Sequence, residues 1–119
     1  LADDSRVARY GAKLTLKNTV PDCTITEAET IQDIIQCIES NQYDLIITDL
    51  KFSDGNGKQA AKEIMELATS KNQITPIIAL TGDTSKLTEQ ECVESGIDKV
   101  LYKPITSDAI YLTINEFFM

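Results

Sequence analysis

Apolar residues fall into two alternating patterns along this chain. Short continuous runs occur at Leu45–Ile47, Pro76–Leu80 and Val100–Tyr102. A β-branched run of that length, bounded by turn residues, predicts a buried strand. The first run predicts a central strand over Tyr43–Thr48, leading to Asp49. The second predicts a strand over 76–81, and the third a short strand ending at Lys103-Pro104. Cys23 to Glu27 alternates like a short strand. Between these runs the spacing turns helical. Ile31, Ile34, Ile35 and Ile38 recur at i, i+3, i+4 and i+7, an amphipathic helix closed by Ser40-Asn41. Val7, Tyr10, Gly11 and Leu14 predict a helix from Ser5 to about Asn18, with Asp4 or Ser5 as N-cap, broken by Pro21. Ala60, Ala61, Ile64, Leu67 and Ala68 mark a third helix. Thr88 to Ser95 is a weak one, with Gly96 as its C′ residue. Thr106 or Ser107 caps a last helix carrying Ile110, Ile114, Phe117 and Phe118.

Strands alternating with helices predict an α/β fold, a doubly wound parallel sheet covered on both faces. A pattern that opens on a helix lacks most of its first strand. That strand is expected upstream of Leu1 or cut short here. With 119 residues and 42% hydrophobic content, the chain is expected to be a single domain, 1–119, with a proper core.

Charge and composition narrow the chemistry. The net charge is −8 and the pI about 4.4, which argues against direct nucleic-acid binding and against contact with an anionic membrane. No run approaches the roughly 20 apolar residues of a membrane span. The chain has no histidine, so imidazole catalysis and imidazole ligation are excluded. Cys23, Cys37 and Cys92 have neither disulfide nor zinc spacing and are expected as small core residues in a reducing, cytoplasmic setting.

The informative residues stand at strand ends. Asp3 and Asp4 follow the first strand, Asp49 the third, Thr81 the fourth and Lys103 the fifth. In a doubly wound sheet these ends share one edge, where ligands collect. Two carboxylates 4 Å apart repel by roughly 4 kcal/mol at an effective dielectric constant near 20. A hard divalent cation and the Lys103 ammonium would both relieve that load. Singly, each residue has a plain reading: a helix cap, a turn, a solvated charge. Together they describe an oxygen site for a cation and a phosphoryl group, with Asp49 as nucleophile.

In this set, Asp3-Asp4, Asp49 with Gly57 eight positions on, Thr81-Gly82 and Lys103-Pro104, the chain resembles a response-regulator receiver domain of two-component signalling over essentially its full length. The stretches TPIIALTG and ECVESGIDKVLYKPI look most like receivers of hybrid sensor histidine kinases. The resemblance implies five strands in the order 2-1-3-4-5 (the flavodoxin-like receiver fold) and transfer of a phosphoryl group from a phosphohistidine to Asp49. It implies Mg²⁺ on Asp4, Asp49 and the Lys51 carbonyl, with Asp3 acting through water. Lys103 and Thr81 would contact phosphoryl oxygens, and the Lys103-Pro104 bond would be cis. Gly57 and Pro104 would be structural. The partner implied is a histidine kinase or a histidine phosphotransfer domain, with a homodimer as a further option. Such a domain is a self-phosphorylating acceptor rather than a turnover enzyme, although a parent hybrid protein would be a kinase.

Three positions depart from the family pattern. Val100 stands where an aromatic switch residue is usual, and Tyr102, two residues later, is expected to point to the other face or along the strand. Ser53 replaces a usual Pro, so the loop after Asp49 is expected to be more mobile. Lys51 and Asp83 flank the phosphoryl site and are expected to pair across its mouth. Two other readings compete. One is a pseudo-receiver that only binds proteins. The other is a flavodoxin-like cofactor binder, which Asp3-Asp4 disfavour by repelling a bare phosphate.

Overall fold

The computed structural model describes residues 1–52, 55–56, 62–64, 66–67, 75–82 and 86–118. Its sheet is built on β1 (Ile46–Asp49), β4 (Ile77–Thr81) and β5 (Lys99–Tyr102), all parallel, in the order β1-β4-β5. The register runs Ile46 to Ile77 and Ile78 to Lys99. Beyond β1 the ladder continues through single bridges, from Thr48 to Ala2 and from Ala2 to Ala28, both parallel. Ala2 donates to the Ile47 carbonyl at 2.8 Å, and its own carbonyl accepts from Asp49 at 2.8 Å. Five segments therefore lie in the expected order 2-1-3-4-5, with the first reduced to a bridge. Cys23–Glu27 forms no regular strand. Beside it, the Leu1 amino group donates to the Thr26 carbonyl at 3.0 Å and Ala28 forms a single bridge with Ala2.

Alternation along the strands divides the interior into two cores. Ile46, Ile77, Ala79 and Val100 face one side, with Ile34 and Ile38 of α2 (Ile31–Ser40), Ile64 and Cys92. Ile47, Ile78, Leu80 and Leu101 face the other, with Ala12 and Leu16 of α1 (Arg6–Thr19) and Ile110 of the last helix. Period-2 side-chain alternation in a strand buried on both faces gives this arrangement directly. Residues 62–64 and 66–67 are helical, within the expected third helix. Helix α3 (Lys86–Glu94) ends as expected at Gly96. Gly96 has φ +95°, and Ile97 and Gly96 donate to the Cys92 and Val93 carbonyls at 3.0 and 3.1 Å. That is the paired hydrogen bonding of a Schellman cap. Helix α4 (Ser107–Phe118) starts on Thr106, whose hydroxyl accepts from Ala109 at 3.2 Å.

Three further expectations are corrected. The stretch after Asp49 is not all loop, because β2 (Lys51–Phe52) pairs antiparallel with β3 (Gly55–Asn56). Val100 and Tyr102, two residues apart in one strand, share a face rather than opposing each other, since side chains alternate with period 2. The third concerns α1. Val7, Tyr10 and Leu14 are 84%, 63% and 47% exposed, while Arg9, Ala12 and Leu16 are buried. The helix is where the spacing puts it, but it turns the other face inward, because the arginine stem and a small alanine fit against the sheet and the guanidinium finds partners there. Cys92 is buried, and Cys23 and Cys37 are half-buried free thiols.

Urea unfolding separates these two kinds of position. Ile78→Ala, at a site with no exposed surface, is expected to cost about 2–5 kcal/mol. Val7→Ser is expected to change stability by less than about 0.5 kcal/mol.

Candidate functional site: an acidic pocket at the sheet edge

The carboxyl ends of the parallel strands meet where the sheet ladder delivers them. Asp49 donates its N–H to the Ala2 carbonyl, which sets Asp49 beside Asp3. Lys103 donates its backbone N–H to the Thr81 carbonyl at 2.8 Å, just past the Thr81–Tyr102 register pair. The turn at 3–4 is held by the start of α1. Ser5 is the N-cap, its hydroxyl accepting from Ala8 at 3.3 Å, and its N–H donates to Asp3 Oδ1 at 2.9 Å.

Within this frame Asp3, Asp4 and Asp49 each offer a carboxylate oxygen, and these oxygens lie within 4.8 Å of one another. Asp3 is 1% exposed and Asp49 8%, while Asp4 is exposed. The pocket therefore has a dry floor and an open lip. The Lys103 ammonium bridges the floor, 3.0 Å from Asp3 Oδ2 and 3.3 Å from Asp49 Oδ2. Asp49 Oδ1 accepts from the Leu50 N–H at 2.7 Å. Two buried carboxylates thus share one ammonium, with the Asp4 carboxylate close by at the lip.

Acidity reflects that imbalance. Burial pushes the Asp49 carboxyl above its ordinary value; the Leu50 hydrogen bond opposes the shift, the Asp3 charge adds to it, and Lys103 only partly offsets it. For Lys103, burial disfavours the ammonium, yet the hydrogen bond to Asp3 and the charges of Asp49 and Asp3 outweigh burial and raise its affinity for the proton. The two directions have different causes: burial dominates at Asp49, whereas at Lys103 two neighbouring carboxylates outweigh burial.

The other expected residues divide into three groups. Thr81 is buried at the end of β4. Apart from its chain neighbours, no described residue comes within 4 Å of where a Cβ at Gly82 would stand, so open space adjoins Gly82. The Lys103-Pro104 bond is cis. Lys51 opens β2, two residues beyond Asp49, with its backbone described but not its side chain. Ser53, Gly57 and Asp83 lie outside the described residues, and with them the Lys51–Asp83 pair. Tyr102, 39% exposed, donates its hydroxyl to Glu89 of α3 at 3.3 Å.

Arg9 is the residue that pattern reading overlooked. It is buried, and Nη1 donates to the Asp3 carbonyl at 2.7 Å. Nη2 and Nε reach Glu29 at 2.7 Å and Glu27 at 3.2 Å. The available signal was its spacing, since Arg9, Ala12 and Leu16 form a stripe at i, i+3 and i+7 that competes with the apolar one.

Known proteins share this architecture. The response regulator receiver domain family matches residues 1–115. The sensor histidine kinase RcsC of Escherichia coli K12 is 28% identical over 82 residues, 69% of this chain and 8% of RcsC. The chain thus spans less than a tenth of that relative. A two-component response regulator from Clostridium difficile superposes with a TM-score of 0.85 at 26% identity, covering 98% of this chain and 90% of that one. The receiver domain of Saccharomyces cerevisiae Ssk1, crystallised with the histidine phosphotransfer protein Ypd1, superposes at 0.86 with 21% identity, over 98% and 84% of the two chains. A parallel sheet in the order 2-1-3-4-5, an acidic pocket at its carboxyl edge and a family match over 115 of 119 residues lead to one assignment: this chain belongs to the response regulator receiver domains of two-component signalling.

Proposed function

We propose that residues 1–119 act as one phosphoacceptor domain in a phosphorelay, with Asp49 as the acceptor. The observation that carries this reading is the buried Asp3–Lys103–Asp49 bridge, with Asp4 at the open lip. The donor set is all oxygen and carries more negative charge than Lys103 can balance, which suits a hard divalent cation. Asp4, Asp49 and the Lys51 carbonyl would hold Mg²⁺ directly, with Asp3 acting through water. Bound there, the ion would neutralise charge on the oxygens of the transferred group.

The chain's own residues supply the rest. An Asp49 carboxylate oxygen attacks phosphorus, the phosphorus–nitrogen bond of a phosphohistidine breaks, and the freed imidazole nitrogen is left to take up a proton. Lys103 leaves its carboxylates to pair with a phosphoryl oxygen as a point charge, and the Thr81 hydroxyl donates to another. Open space beside Gly82 admits the group. Drawing Thr81 and Lys103 inward biases the nearby β5 and α3 surface, which is how a small chemical change would be read at a distance. The RcsC and Ssk1 likenesses support a histidine kinase or a histidine phosphotransfer domain as donor, and a setting within a longer signalling protein.

Intact mass after incubation with Mg²⁺ and acetyl phosphate tests the chemistry. One added phosphoryl mass is expected, absent from Asp49→Ala and from a sample with EDTA. No adduct together with no Mg²⁺ binding overturns the reading in favour of a domain that only binds other proteins.

The electrostatics predict a second outcome, in metal-free buffer. Because the Asp49 pKa is raised on folding, its ionised form costs stability above that pKa and costs nothing once it is protonated. Asp49→Asn keeps the Leu50 hydrogen bond and removes the charge. It is expected to melt higher than the parent at pH 7, by about 4 °C for each kcal/mol relieved. The gap is expected to close as pH falls through the carboxylate range.

A further inference from the structure

Asp3 has a partner for each of its polar atoms, at 1% exposure. Its N–H donates to the Ala28 carbonyl at 3.1 Å. Oδ1 accepts from Ser5 and Oδ2 pairs with Lys103. The remaining atom, the carbonyl oxygen, accepts from Arg9 Nη1 at 2.7 Å. Arg9 is equally constrained. Its Nε and Nη2 are held by Glu27 and Glu29, which flank Ala28 on either side. Lys13 reinforces the anchor at 3.1 Å from Glu27. The two glutamates are 36% and 62% exposed, whereas the arginine side chain is 8% exposed. The guanidinium therefore points inward, clamped from outside by solvated acids.

We infer that Arg9 is a positioning residue for the acidic pocket: it clasps segment 27–29 to the Asp3 carbonyl and so sets the direction in which the Asp3-Asp4 turn presents its carboxylates. The inference rests on the cation-binding reading above, and it assigns Arg9 no contact with the ion. The turn has one peptide between Asp3 and the exposed Asp4. Rotation there would move the Asp4 carboxylate relative to Asp49, and the Arg9 hydrogen bond opposes that rotation. A lysine cannot replace it. Three acceptors in three directions need the planar fork of a guanidinium, and an ammonium on a flexible stem meets one or two of them at most. Outer contacts that orient ligands typically contribute 10- to 100-fold to metal affinity. This one acts through the backbone, so the low end is expected. It also links the entry to α2, where Thr30 is the N-cap, to the pocket.

The test is calorimetric titration of the whole chain with Mg²⁺ alone. Arg9→Gln is expected to raise the Mg²⁺ dissociation constant about 10-fold and to shrink the Mg²⁺-induced rise in melting temperature. Arg9→Lys is expected to fall between it and the parent. Ala12→Gly, on the same buried face, is expected to lose stability without changing the dissociation constant, which separates positioning from packing. A folded Arg9→Gln that binds Mg²⁺ within twofold of the parent overturns the inference while leaving the phosphoacceptor reading intact. If Arg9→Gln does not fold, the double change Glu27→Gln with Glu29→Gln decides. It keeps the arginine and loosens its anchor, so at least a twofold weakening supports the clasp and an unchanged constant overturns it. A parent chain with no Mg²⁺ binding overturns the reading beneath, and the inference with it.

Discussion

Two buried carboxylates, Asp3 and Asp49, share one ammonium, and much of the molecule is arranged around that contact. A charge removed from water is costly unless paired and hydrogen-bonded. Asp3 meets that condition with every polar atom engaged. Asp49 meets it less well: among the described residues its carboxylate accepts one backbone hydrogen bond and takes the longer leg of the lysine bridge, and burial raises its affinity for the proton. That less well compensated acid is the one proposed as phosphoacceptor. Any ligand that supplies positive charge at the open lip gains what the fold has left uncompensated.

Holding that arrangement requires a rigid edge. β1 and β4 are buried on both faces, so a helix layer on either side fixes the level of the strand ends. The single bridge at Ala2 registers the Asp3-Asp4 turn against Asp49 through two 2.8 Å hydrogen bonds. Lys103 arrives from the far side through its own bond to Thr81. Few strands and few bonds are needed, because each bond lies at the edge where the charges meet. By contrast, α3 has few apolar residues in its sequence; it places Cys92 in the core and ends on the Gly96 cap. An element of that kind suits a surface whose state is set from elsewhere.

Particular residues show how far pattern reading reaches. Asp49 was legible because an apolar run followed by a carboxylate and turn residues is a local signal. Gly96 was legible for the same reason. Alternation at Cys23–Glu27 was a weaker guide: a strand needs a continuous ladder of backbone hydrogen bonds, and alternation alone does not supply one. Val7, Tyr10 and Leu14 pointed to the right helix and the wrong face. Helical periodicity counts apolar residues and assigns no value to an arginine that buries its stem. Tyr102 was misdirected by a simple error of phase, and its contact with Glu89 places it on the α3 side.

From the sequence alone came the order of elements, the parallel α/β class and the short set of acids, threonine and lysine at strand ends. All of these follow from local periodicity and punctuation. Only the tertiary structure decided which acids share the lysine, how unequally they share it, which face of α1 turns inward and what Arg9 holds. Those contacts join Asp3 to Lys103 from opposite ends of the chain, and Arg9 to acids 18 and 20 residues away. Pairing over such separations is fixed by sheet order and burial, and no window along the chain contains both partners.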